Sequence, residues 1–128
     1  MLWTAPELLR GGGREGTKNG DVYSFAIILQ EILLRAHPFA LNMEPVDGTY
    51  LFFSSLDLVK QWFWVLEIVR LVRIGISPPL RPKMQNFLVT RENGWIIDLM
   101  FDCWQEEPDL RPSFKNIVKA IEFANGGK

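Results

Sequence analysis

Asp21-Val22-Tyr23-Ser24-Phe25-Ala26-Ile27-Ile28-Leu29-Gln30-Glu31-Ile32-Leu33-Leu34-Arg35 is the stretch on which the fold turns. Val22, Phe25, Ile28, Leu29 and Ile32 fall on one helical face, while Tyr23, Ile27, Leu33 and Leu34 carry apolar surface nearly all the way round. A helix that is apolar on most sides is expected to be buried among other elements. Asp21 is expected to be its N-cap, with a carboxylate that accepts from the free N–H groups of the first turn and complements the helix dipole. Pro38 ends the pattern three residues past Arg35.

Working outward, Ile68 to Ile74 reads as a short helix closed by Gly75 and stopped by Pro78-Pro79. Trp95, Ile96, Leu99, Met100, Cys103 and Trp104 recur at helical spacing opposite Asp98, Asp102 and Gln105. A last helix follows Arg111-Pro112, with Ser113 as N-cap, Phe114, Ile117, Val118, Ile121 and Ala124 on one stripe, and Asn125-Gly126-Gly127 as the stop. No period-2 run or hairpin signal occurs, so the expected class is mainly α with long loops.

The 128 residues carry 14 Lys+Arg and 15 Asp+Glu, for a net charge of −1, with 48% hydrophobic and 23% charged residues. That excludes nucleic-acid binding by blanket charge neutralisation and intrinsic disorder, and it suits one domain or a piece of one. Cys103 is the only cysteine, so an internal disulfide or a cysteine-based zinc site is ruled out. The longest apolar stretch, Trp62 to Ile76, is cut by Glu67, Arg70 and Arg73, too charged to span a bilayer. Met1 to Glu7 lacks the basic and apolar regions of a signal peptide.

Few residues offer chemistry. Gly11, Gly13 and Gly16 match G-x-G-x-x-G, but no strand precedes them and the helix starts too late, so a surface loop is expected rather than a phosphate cradle. His37 is the sole histidine and sits in a loop, without a second imidazole for a metal. Asp98 and Asp102 read as a solvated face, and Cys103 as a small core residue. No catalytic, cofactor-binding or metal-ligating residue is assigned. Glu7 and Arg111 are more telling, because each stands beside a proline at the edge of an element, and a guanidinium can clamp a carboxylate with two bonds to pin distant segments.

Trp3-Thr4-Ala5-Pro6-Glu7, then Asp21-Val22-Tyr23-Ser24-Phe25, then Cys103-Trp104 with Pro108, Arg111, Pro112 and Phe114 resemble, in order, three landmarks of the C-terminal lobe of protein kinases. They are the end of the activation segment, the start of the buried central helix, and the loop and helix that close the lobe. Within that superfamily the chain looks most like the kinase-homology domain of receptor guanylate cyclases. Gln30 before Glu31 favours these, since tyrosine kinases usually carry Trp there, and Glu67 to Arg73 and Leu80-Arg81-Pro82 also fit.

The resemblance implies that residues 1–128 are an incomplete protein-kinase-like C-lobe, from the end of the activation segment to the last helix. It implies architectural roles for Glu7, Arg111, Asp21 and Trp104: the first two as the ion pair that ties the activation segment to the closing helices, Asp21 as a ligand of the catalytic-loop backbone. The Gly-rich loop, β3 lysine, His-Arg-Asp and Asp-Phe-Gly motifs are missing, so no phosphoryl transfer is expected. In the family this region is a pseudokinase that binds ATP and relays receptor occupancy to a cyclase domain that makes cGMP. The ATP cleft would lie outside this chain. The implied partners are the rest of the kinase-homology domain and the cyclase domain, in a homodimeric single-pass receptor with this region on the cytoplasmic side of the membrane. The competing readings are the C-lobe of an active, tyrosine-kinase-like protein kinase and a free-standing helical interaction module.

Residues 48–66 depart from the pattern, because removing them would join Asp47 to Glu67 at the expected spacing. Tyr50, Phe52, Phe53, Trp62, Phe63 and Trp64 make this insert far more aromatic than an ordinary surface loop. Three readings stand: a hydrophobic insert for a partner or membrane surface, an extra helix packed on the lobe, or untranslated sequence such as a retained intron carried into the protein.

Overall fold

The computed structural model describes residues 1–11, 15–43, 58–85 and 89–126. All regular structure among them is helical. The order is α1 (Pro6–Leu9), α2 (Lys18–Leu34), a 3-10 turn at Ala40–Met43, α3 (Leu58–Ile74), α4 (Gly94–Cys103), a 3-10 turn at Pro108–Leu110 and α5 (Phe114–Ala124).

Helix α2 starts earlier than Asp21. Thr17 is the N-cap, and its hydroxyl accepts from the Gly20 amide at 2.9 Å, which leaves Asp21 exposed in the first turn. The cap bond from the Gly20 amide to Thr17 sets the earlier start, and the Leu8 side chain lies against Gly20, where an added Cβ would come within 2.8 Å of Leu8 Cδ1. Val22, Tyr23, Ala26, Ile27, Leu29 and Gln30 are buried, but Ile28 and Ile32 remain 46% and 65% exposed. The burial expected on nearly all sides is thus realised on only part of the circumference.

Two apolar clusters hold the helices. The larger joins α2 to α4 and α5 through Tyr23, Ile27, Ile97, Met100, Trp104 and Ile117. Met100, Cys103 and Trp104 are buried as expected and Ile96 and Leu99 pack against them, while Ile97 joins the core and Trp95 at the start of α4 is 38% exposed. The smaller packs Phe39 against Ile68 and Val72 of α3, with Leu2, Leu9 and Leu80 around them.

Helix α3 is one continuous rod of 17 residues, not the short Ile68–Ile74 segment. Residues 58–66 of the aromatic insert form its first half, and 48–57 lie outside the described residues. Gly75, at φ 70°, follows its end as the expected stop. Ser113 caps α5, accepting from the Asn116 amide at 3.2 Å.

Candidate functional site

The polar residues converge where the ends of the helices meet. Pro6 fixes the first turn of α1 and places Glu7 on its inner side. Arg111 leaves the turn after Pro108–Leu110 with a fully buried side chain and donates to both Glu7 oxygens, Nη1 to Oε1 at 2.7 Å and Nη2 to Oε2 at 2.9 Å. Its other N–H groups reach the carbonyls of Asn19 at 2.9 Å, Gln105 at 2.8 Å and Glu106 at 3.3 Å. One guanidinium thus joins α1, the first turn of α2 and the loop after α4. Only arginine has the donors in that planar fork.

Glu106 is the second carboxylate. It pairs with Arg10, just past α1, and with Arg81 at 2.7 Å. Arg10 also donates to the Arg73 carbonyl at the end of α3 at 2.7 Å, and Arg81 to the Trp104 carbonyl at 2.7 Å. Burial alone would raise both carboxyls. For Glu7 the Arg111 bonds and charge outweigh it, and for Glu106 the bonds and charges of Arg10 and Arg81 do, so both sit below the ordinary carboxylate value of 4.5.

Tyr23 lies beneath this network, with the Arg81 and Arg111 guanidiniums 5.1 and 5.2 Å from its ring centroid. Burial pushes its hydroxyl up to about 12 despite the two cations, so it stays a neutral phenol. The hydroxyl has no hydrogen-bond partner among the described residues. Gln30 is fully buried and donates to the Lys83 carbonyl at 3.1 Å. Asn42 bonds the same segment twice, from Nδ2 to the Arg81 carbonyl at 3.1 Å and from the Lys83 amide to Oδ1 at 2.9 Å. Trp3 and Ser24 fasten the start of the chain along α2: Trp3 Nε1 donates to Glu31 at 2.9 Å and Ser24 Oγ to the Trp3 carbonyl at 2.7 Å.

Of the residues singled out in the sequence, Glu7, Arg111 and Trp104 meet here, whereas Asp21 points to solvent outside the network. Arg10 and Glu106 join without any motif to mark them, and Arg81, noted only within Leu80-Arg81-Pro82, joins with a role that no local pattern assigns, since their partners are chiefly backbone carbonyls and residues distant in sequence. Cys103 is buried and its thiol is pushed up to about 12 by burial and by the charge of Asp102, so it stays protonated at neutral pH. His37, Asp98 and Asp102 are exposed. Among the described residues no cluster of His, Cys, Asp or Glu is placed to hold a metal, and no helix is long and apolar enough to cross a membrane. Of the G-x-G-x-x-G residues, Gly11 lies in a turn at φ 94° and Gly16 precedes the Thr17 cap, while Gly13 lies outside the described residues.

No family model matches the chain. Individual proteins do. Atrial natriuretic peptide receptor 2 of Rattus norvegicus is 42% identical over 126 residues, covering 97% of this chain and 10% of that protein. Receptor-type guanylate cyclase gcy-28 of Caenorhabditis elegans is 37% identical over 137 residues, covering 98% and 9%. Retinal guanylyl cyclase 2 of Mus musculus is 37% identical over 131 residues, covering 100% and 10%. The chain therefore spans about a tenth of the length of the curated relatives it matches.

Proposed function

We propose that this chain, a relative of receptor guanylate cyclases over nearly its whole length, is the closing part of the kinase-homology region of such a receptor, a C-terminal lobe that transmits and does not catalyse. The observation that carries the reading is the two-bond Glu7–Arg111 clamp. It ties the segment ending in Ala5-Pro6-Glu7 to the Arg111-Pro112 loop across 104 residues of sequence.

The same geometry suits a relay. Five segments meet at two carboxylates and three arginines, so a displacement of α1 is felt at once by α2, by the end of α3 and by the loop after α4. The partly exposed Ile28 and Ile32 on α2 fit a chain that is one part of a larger domain. The parent would be a homodimeric single-pass receptor with this region on the cytoplasmic side, and ATP would bind the complete kinase-homology domain through residues other than these.

Two measurements test the reading. The purified chain should make no cGMP from GTP and transfer no phosphate from ATP; measurable turnover by either route overturns it. In the full-length protein, Arg111→Lys should lower receptor-stimulated cGMP synthesis by about tenfold, the scale of a typical coupling free energy, while unstimulated synthesis persists. Equal loss of both rates would show that the clamp serves folding and not relay.

A further inference from the structure

The first half of α3 is apolar on the wrong side. Ile68 and Val72 face the core at 4% exposure each, and the opposite face carries Trp62, Phe63 and Leu66 at 60%, 68% and 47%. One and two turns farther along that outer face stand Arg70 and Arg73, both exposed, with Arg70 also donating to both oxygens of Glu67 at 2.9 and 2.7 Å. Lys60, Arg70 and Arg73 against Glu67 give α3 a charge of 3 − 1 = +2 in a chain whose net charge is −1. Aromatic rings followed by cations along one helix face form the pattern of a helix that lies in a membrane interface, rings among the headgroups and guanidiniums on the phosphates.

We propose that this face of α3 docks on an anionic lipid bilayer. The four charges keep the helix on the surface and not across it. Self-association fits less well. Trp62 and Phe63, which would bury about 150–250 Å² each when wholly covered and are already about a third covered, offer together with the smaller Leu66 well under the ~800 Å² per partner of a stable interface. A bilayer needs no matched area, and its negative headgroups answer the local positive charge.

The test is co-sedimentation of the full chain with vesicles, either phosphatidylcholine alone or two parts phosphatidylcholine to one part phosphatidylserine, with helix content followed by circular dichroism. Binding is expected to the mixed vesicles, to weaken on adding salt, and to fall at least tenfold in Trp62→Ser/Phe63→Ser. Arg70→Gln/Arg73→Gln, which leaves the apolar face intact, should weaken it by about fivefold per arginine removed. Phe123→Ser, at a ring 85% exposed on α5, should bind as the parent does. The proposal is overturned by absence of binding to the mixed vesicles, by equal binding to both vesicle types, or by insensitivity to the Trp62/Phe63 change. A lipid-free dimer dissociated by that change would make the face a self-association surface instead. A transcript that never carries the codons for 48–66 would remove the face from the protein altogether.

Discussion

Arg111 shows how much depends on a single side chain. Its guanidinium is wholly buried and satisfied by one carboxylate and three carbonyls, so removing Glu7 strands a positive charge in the interior. Glu7→Ala should therefore cost about 3 kcal/mol of unfolding free energy, the lower end for a broken buried pair because Glu7 keeps some contact with water. Replacing both residues, as Glu7→Leu/Arg111→Met, should cost less than the sum of the single changes, since the stranded charge disappears with its partner. Urea titrations of the four proteins close the cycle, and strict additivity would mean that the two groups do not interact. Both residues stand out in the sequence because each sits beside a proline at an element's edge. The second carboxylate, Glu106, has no such mark. It becomes a hub only once α1 and the Leu80-Arg81 segment are brought to it, a long-range arrangement that no local pattern encodes.

Helix ends divide into those written locally and those decided by packing. Ser113 before Phe114 is local, and the cap appears where the sequence places it. Ser113→Ala should cost about 1 kcal/mol, read as a lower urea midpoint, while Ser113→Asp should restore it. A Ser113→Ala protein as stable as the parent would show that α5 is held by Ile117 packing alone. The start of α2 is not local in this sense. Asp21 has the better cap chemistry, but Asn19-Gly20, a poor helix-forming pair by propensity, is helical with Thr17 as the cap, and Asn19 gives its carbonyl to Arg111. The length of α3 was hidden for a different reason. Its first half carries Trp62, Phe63 and Leu66 on faces that stay exposed, so the amphipathic signal that marks a surface helix is absent there.

On the scale of the whole molecule, two apolar clusters are joined by one polar seam, and the seam makes the chain acid-sensitive. Glu7 and Glu106 are held below the ordinary value of 4.5, so the folded state binds fewer protons than the unfolded state as the pH falls toward that value. The stability they contribute is present above about pH 4.5 and is lost as the pH drops through their lower folded values. The urea midpoint should thus hold steady from neutrality to about pH 5 and decline below it, as expected for paired carboxylates. Glu106→Gln should lower the midpoint at neutral pH and flatten the acid decline, because the amide cannot lose its charge to a proton. The same variant should loosen both clusters together, since Arg10 carries the Glu106 contact to the end of α3 and Arg81 carries it to Trp104 and, across its ring, to Tyr23. An acid decline as steep in Glu106→Gln and Glu7→Gln as in the parent would place the sensitive carboxylates elsewhere.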